Sequence, residues 1–343
     1  MSLQELTAVA VVLGLAGVAG AQTIDPYYEC AYRFVDLGTP PDVPAALGGL
    51  VIKADDPDTL LIGGSANGAA AKIYAVPLIR DAEDQIVGFG AASVMFAEAP
   101  NIDGGLFYGP DGVLMFSRYS SNQLGQIKPG SSVMDKSVAL TPLGFSSSVG
   151  AMAMVPAGFQ GEGRLKVFPY NSSRWHDAEL LPDGSGTFDV SGPLSDILLS
   201  GGPEGIVYVE AGASLFPNES VLISEYSNGR IASYQVDSNG DPIANTRRDF
   251  LTGLSGAEGG ARDPLTGDFL FSTFGGGNRV LVVRGFDPEC EANYNADCVV
   301  NTQDVLAFLN DWVIGDPKAD FNGDGSVNTL DVLSFLNRWV AGC

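Results

Sequence analysis

Histidine is all but missing: His176 is the only one in 343 residues. That nearly excludes a site built from several imidazole ligands, or a histidine-based triad without substitutes. Basic residues are scarce too, 18 Lys and Arg against 41 Asp and Glu, giving a formal net charge of −23. A phosphate-binding surface requires the opposite balance, so nucleic acid is not an expected partner. Charged residues are only 17 % of the chain while apolar ones are 45 %, which suits a globular protein with a real core. Beyond the first residues no apolar run is long enough to span a bilayer. What is abundant is glycine, 44 residues, with 20 prolines. That composition is high for helical bundles and ordinary for short strands joined by tight turns. The length accommodates one large domain and a small one.

Residues 8–21, AVAVVLGLAGVAGA, form an apolar run of the length of a signal peptide. Ala19-Gly20-Ala21 supplies a small-x-small cleavage site, which would leave Gln22 as the mature N-terminus. The leader carries Glu5 and no Lys or Arg, where a basic stretch is usual; the other reading is a buried N-terminal helix or strand. With 1–21 as a signal peptide, the mature protein is expected to be secreted or held at the cell surface. Four cysteines, Cys30, Cys290, Cys298 and Cys343, fit an oxidising compartment and allow three pairings. None has the CxxC spacing with histidines that structural zinc requires.

The last stretch of the chain holds an internal duplication. Asn293 to Asp304 aligns without a gap on Asp320 to Asp331, and the match runs on through Val305-Leu306-Ala-Phe308-Leu309-Asn310-Asp-Trp312 and Val332-Leu333-Ser-Phe335-Leu336-Asn337-Arg-Trp339. Each copy reads as an oxygen-rich loop followed by an amphipathic helix, Val305, Leu306, Phe308, Leu309 and Trp312 forming one apolar face and Val332, Leu333, Phe335, Leu336 and Trp339 the other. Helices this short are not stable alone, so the two faces should pack on each other. In the second loop oxygen side chains fall at positions 1, 3, 5, 9 and 12: Asp320, Asn322, Asp324, Asn328 and Asp331. Gly325 takes the sharp turn at position 6 and Ser326 offers its backbone carbonyl at position 7. The first loop supplies Asn293, Asn295, Asp297, the Val299 carbonyl, Asn301 and Asp304. A hard cation such as calcium takes six or more oxygens from such a loop, and crowded carboxylates couple its binding to folding. Asn293 at position 1 and Cys298 at position 6 depart from the pattern, so the first ion is expected to be weaker, or its loop partly held by a disulfide. The other reading of both segments is a solvated Asp/Asn turn before a helix.

This pair of D-x-N-x-D-G-x-V-N-x-x-D loops with V-L-x-F-L-N-x-W helices resembles a dockerin domain, and the closing Ala341-Gly342-Cys343 looks like the GC-type dockerins of exported bacterial proteins. The resemblance covers residues 288–343. It implies one or two bound calcium ions, a three-helix fold, and attachment to a cohesin-like or other cell-surface anchoring partner. Thr302-Gln303 and Thr329-Leu330 occupy the positions that contact the partner in that family. Cys290 and Cys343 bracket this module by position and form the expected pair, leaving Cys30 with Cys298.

Between residues 22 and 286 helical periodicity is scarce. Short apolar or alternating runs such as KIYAVPLI, GIVYVE and RVLVVRGF lie between Gly, Pro, Asn and Asp, which predicts an all-β domain. A repeat of roughly fifty residues runs through it. Its starts are Gly48-Gly49, Asp103-Gly104-Gly105, Val149-Gly150, Glu204-Gly205 and Glu258-Gly259, and each leads into a turn and an apolar strand. The fold class expected is therefore mainly β, a five-bladed β-propeller followed by the small α-helical calcium-binding module. Six blades or a pair of β-sandwiches are the alternatives. The last unit has only about three strands, and Tyr32-Arg-Phe-Val-Asp-Leu37 could supply its fourth, removing a free edge. The G-P-D-G and D-P-x-T-G turns with their strands resemble the loose group of extracellular NHL- and SMP-30-like propellers.

Residues at the repeat starts converge on a propeller's axis, which makes Asp103, Glu204 and Glu258 candidate ligands for a metal or polar molecule. The resemblance to SMP-30-like lactonases implies a metal-dependent hydrolase acting on a carbohydrate or lactone, although their ligand set does not match residue by residue. The other reading is that these acids cap strand ends. His176, in Ser-Ser-Arg174-Trp175-His176-Asp177, is placed on a polar outer strand or loop, and no GxSxG motif is present. Asn171-Ser-Ser and Asn218-Glu-Ser match the N-glycosylation triplet, a pattern too common to weigh.

Overall fold

A computed structural model describes residues 22–285, 290–295, 297 and 299–342. The leader at 1–21, the domain boundary at 286–289, Cys298 and Cys343 lie outside the described residues. No helix among the described residues is long and apolar enough to cross a membrane.

Alternating apolar residues and tight turns produce antiparallel meanders, each a radial sheet. Blade one runs outward from Leu47–Lys53 through Asp56–Gly64 to Lys72–Arg80, which pairs with both Ile86–Phe89 and Val94–Glu98. Blade two contains Ile102–Tyr108, Leu114–Arg118, Gln123–Ile127 and Lys136–Ala139. Blade three contains Val149–Met154, Leu165–Pro169, Arg174–Ala178 and Ile197–Leu198. Blade four contains Pro203–Val209, Ser220–Glu225, Arg230–Gln235 and Arg248–Thr252, with Thr23–Ile24 added at its rim. Blade five contains Ala257–Arg262, Phe269–Thr273 and Val280–Arg284, and its outer strand is Arg33–Gly38 from the start of the chain. Each inner strand touches the inner strands of both neighbouring blades, so the ring is closed at five.

Five separate apolar clusters hold the ring, each uniting residues of two neighbouring blades. Burying both faces of every blade is what the short, continuous apolar runs of the sequence accomplish. The N-terminal segment straps two blades: Tyr28 and Tyr32 sit among Phe216 and Phe250 between its two short strands.

The repeat-start glycines have a steric reason. A Cβ on Gly104 would lie 1.8 Å from the Glu204 carbonyl oxygen, and one on Gly205 2.4 Å from that of Glu258. Without side chains these backbones meet across the axis and separate a polar end from an apolar one. Buried serines brace the contact: Ser117 Oγ accepts from Gly105 N at 2.9 Å and donates to the Gly150 carbonyl at 2.7 Å. Ser272 does the same between Gly259 N and the Gly48 carbonyl.

The C-terminal unit has two α-helices among the described residues, α1 at Thr302–Ile314 and α2 at Thr329–Ala341, with a short 3-10 turn at Pro317–Ala319. The three-helix fold implied by the dockerin resemblance is thus represented by two. Asn301 and Asn328 cap them, each in a reciprocal box with the aspartate three residues on. Phe308 and Phe335 are fully buried between them, and Val305, Leu309, Trp312, Val332 and Trp339 pack around this pair. Leu306 and Leu333, expected on the packed faces, are instead 54 % and 58 % exposed. A helix turns about 100° per residue, which carries them off the stripe set by Val305 and Val332. Leu336, one turn after Val332 at the margin of the stripe, is 37 % exposed. Cys30 and Cys290 are both disulfide-bonded.

Candidate functional site: an acidic cavity on the propeller axis

Asp103, Glu204 and Glu258 lie at the same end of the inner strands of blades two, four and five. They share this register because each stands beside an axial glycine, where only a neighbouring residue can carry a side chain. One ligand oxygen from each comes within 4.8 Å of the other two, although the side chains come from three blades. All three are buried, at 1 %, 4 % and 1 % exposure. Glu204 reaches over blade three, where a Cβ on Gly150 would fall 2.6 Å from its Oε2. Among the described residues, no other three acidic, thiol or imidazole groups approach one another so closely.

The cavity above them measures about 160 Å³ and is walled by Asn67, Tyr119, Tyr170, Tyr226 and Phe274. Among the described residues, no lysine or arginine lines it. Asp103 Oδ2, Glu204 Oε2, Glu258 Oε1 and Asn67 Oδ1 are buried without a hydrogen-bond donor. Burial pushes the Asp103 carboxyl up to about 6, against hydrogen bonds from Glu204, Glu258 and Asn67 that act the other way. Burial also raises Glu204 and Glu258, and the charge of Asp103 adds to both. Three acids crowded in a dry place hold protons that they would lose in water.

Four aromatic rings crown the cavity. Tyr119, Tyr170, Tyr226 and Phe274 each follow directly on the second strand of blades two to five. They meet edge to face in sequence, with centroids 5.8, 6.0 and 6.1 Å apart. Blade one has Ser65 at this position, after Asp56–Gly64, and closes the circle with Asn67. Neither the rings nor Asn67 was singled out in the sequence. The signal was present as an aromatic residue at one fixed register in four repeats, but it is visible only once the second strands are bounded.

His176 occupies the third strand of blade three, not a polar surface. It is buried, edge-on to Phe145, with Nδ1 at 2.8 Å from the Ser195 carbonyl, and it does not line the acidic cavity.

The two C-terminal loops are built alike. In the second, Asp320 accepts from the amides of Asp324 and Gly325, Asn322 Oδ1 from Asp324 N, and Asp324 Oδ1 from Ser326 N. The Ser326 carbonyl accepts from Asn328 Nδ2 at 2.9 Å. In the first, Asn295 and Asp297 make the same turns and the Val299 carbonyl accepts from Asn301 Nδ2 at 3.0 Å. Asn293 donates its backbone N–H to the Cys290 carbonyl. Asp304 and Asp331, the position-12 residues, are buried and take backbone amides on both oxygens. Those amides hold Asp331 below the usual carboxylate range. The expected oxygens of each loop thus lie along one turn of backbone and accept from the loop's own amides.

No family model and no curated protein matches this sequence. Solved structures do. The PQQ domain of a pyranose dehydrogenase from Coprinopsis cinerea is similar over 77 % of this chain and 97 % of its own, at 9 % identity and a TM-score of 0.44. An aldose sugar dehydrogenase from Streptomyces coelicolor, in PQQ-bound form, covers 74 % and 98 % at 13 % identity and a TM-score of 0.40. A putative 6-phosphogluconolactonase from Bacteroides uniformis covers 70 % and 67 % at 13 % identity and a TM-score of 0.37.

Proposed function

We propose that this chain is an exported binding protein whose propeller takes up a cation at its acidic end and whose C-terminal unit attaches it to a surface partner. The observation that carries the first part is the meeting of three buried carboxyl groups, each with an oxygen that no amide, hydroxyl or cation reaches, over a cavity that no described lysine or arginine lines. Buried charge of one sign is costly unless something neutralises it, and a bound cation can do so in place of the protons that these acids otherwise retain. The second part rests on the duplicated loop and helix. Asp320, Asn322, Asp324, the Ser326 carbonyl and Asp331 would hold one calcium ion, and Asn295, Asp297, the Val299 carbonyl and Asp304 the other. Calcium bound there would supply the charge that lets these oxygens stay together, and so the stiffness a docking face needs. A cohesin-like or other anchoring protein is the partner class.

Calorimetry of the full chain against simple cations tests the reading, with Glu204→Gln and Asp320→Ala as separate losses. Saturable binding that each substitution reduces independently is the expected result. Absence of any cation binding sensitive to Glu204→Gln would refute the propeller half. Unchanged far-ultraviolet dichroism after chelation, with the disulfides reduced, would refute the calcium half.

A second reading, metal-dependent hydrolysis of a carbohydrate or lactone, is favoured by the approach of one oxygen from each of the three acids to the other two. It requires turnover of such a substrate by the metal-loaded protein and its loss in Glu204→Gln.

A further inference from the structure

We propose that the cation taken by the axial cavity is a primary organic ammonium. Its –NH3+ group sits on Asp103, Glu204 and Glu258, and its carbon chain rises between Tyr119, Tyr170, Tyr226 and Phe274. This rests on the reading of the cavity as a cation site and names the class of cation. Three features of the site select it over a bare metal ion.

The first is stoichiometry. An ammonium group has three N–H donors and no acceptor. The floor of the cavity presents three carboxyl oxygens that no amide, hydroxyl or cation reaches, Asp103 Oδ2, Glu204 Oε2 and Glu258 Oε1. Each donor can meet one oxygen, and charge-assisted bonds of this kind are the strong ones. Calcium asks for six to eight oxygens, a number that these three carboxylates and Asn67 reach only through bidentate contacts or added water.

The second is the crown of rings. Aromatic faces attract a cation and its polarised CH2 groups, most strongly where water is excluded. A small hydrated metal ion gains little from them. Four rings at one register, half-buried and in mutual edge-to-face contact, make an apolar collar above a charged floor. That is the polarity profile of an alkylammonium: charged head below, hydrocarbon above.

The third is size. The cavity, about 160 Å³, is comparable with the ~150 Å³ cavity that admits benzene in a model protein. It is too large for one ion and fits a chain of a few carbons.

Calorimetry of the full chain with n-butylammonium chloride tests the inference, against tetramethylammonium, neutral n-butanol and calcium chloride. Saturable binding of n-butylammonium is expected, with affinity reduced about ten-fold or more in Glu204→Gln and Glu258→Gln, as the loss of a charged hydrogen bond implies. Tetramethylammonium, which has no N–H, and n-butanol, which has no charge, should each bind at least about ten-fold more weakly. Tyr226→Ala should weaken n-butylammonium without creating a preference for calcium. If n-butylammonium fails to bind while calcium occupies a site that Glu204→Gln removes, the ammonium assignment is overturned and the cation site stands. If neither binds in a manner sensitive to Glu204→Gln, both fall. Replacing a buried acid by its amide removes charge without changing shape, and near-ultraviolet dichroism of each variant confirms that it is folded.

Discussion

Phe308 of α1 and Phe335 of α2 stack face to face, with ring centroids 4.4 Å apart and planes inclined by 11°. They hold the same place in the two copies of the duplication, so the stack lies where the copies mirror each other. Tyr294 and Phe321, again equivalent, meet both rings edge-on. The exchange is completed by the tryptophans. Trp312 donates its indole N–H to the Asn328 carbonyl at 2.7 Å, and Trp339 donates to that of Asn301 at 2.9 Å. Each helix thus fastens the other copy's loop, and neither loop is independent of the stack.

Phe335→Ala should therefore loosen both loops at once. A buried phenylalanine replaced by alanine costs about 3–5 kcal/mol. Helical dichroism is expected to fall and the affinity of both loops for calcium to drop together, while the unfolding transition of the propeller keeps its midpoint.

The acidic cavity sets a pH dependence. Asp103 has its folded-state value raised from 3.8 to about 6, so the folded protein holds a proton that the unfolded chain gives up. Its contribution to stability is complete below the unfolded value and is lost as pH rises through about 6; Glu204 and Glu258 shift in the same direction. A shift of this size corresponds to roughly 3 kcal/mol. Without a bound cation, thermal unfolding should move to lower temperature between pH 4 and pH 7, by roughly 2 °C per lost kcal/mol in a domain of this size. Asp103→Asn should flatten the profile. A profile that rises with pH in the wild type would contradict the cavity's electrostatics.

Gly104→Ala tests the closeness of the axis. The added Cβ would meet the Glu204 carbonyl at 1.8 Å, whereas one on Gly88 meets nothing within 4 Å. Overpacking of this kind costs about 1–3 kcal/mol or more, and here it also displaces Glu204. Urea unfolding should show Gly104→Ala strongly destabilised and weakened in cation binding, with Gly88→Ala close to wild type.

Much of the architecture was legible beforehand, for reasons that particular residues make plain. Glycine pairs recur at the repeat starts because backbones touch there, and that steric demand is written directly in the sequence. The closing strand was legible as a run near the chain start with no partner of its own, expected at Tyr32 to Leu37 and found at Arg33–Gly38. Asp103, Glu204 and Glu258 could be placed together because the glycines fix their register. Asn67 and the four rings could not: their positions depend on where each second strand ends, which varies with loop length. The exposure of Leu306 and Leu333 was hidden by the opposite problem, since a helix face a little over 100° wide cannot be told from its flank by apolar residues alone.

The outer strand of blade five, Arg33–Gly38, belongs to the first part of the chain, and its partner Val280–Arg284 is the propeller's last strand. During translation the latch is made early and its catch almost at the end. Ring closure must therefore wait until nearly the whole domain has left the ribosome.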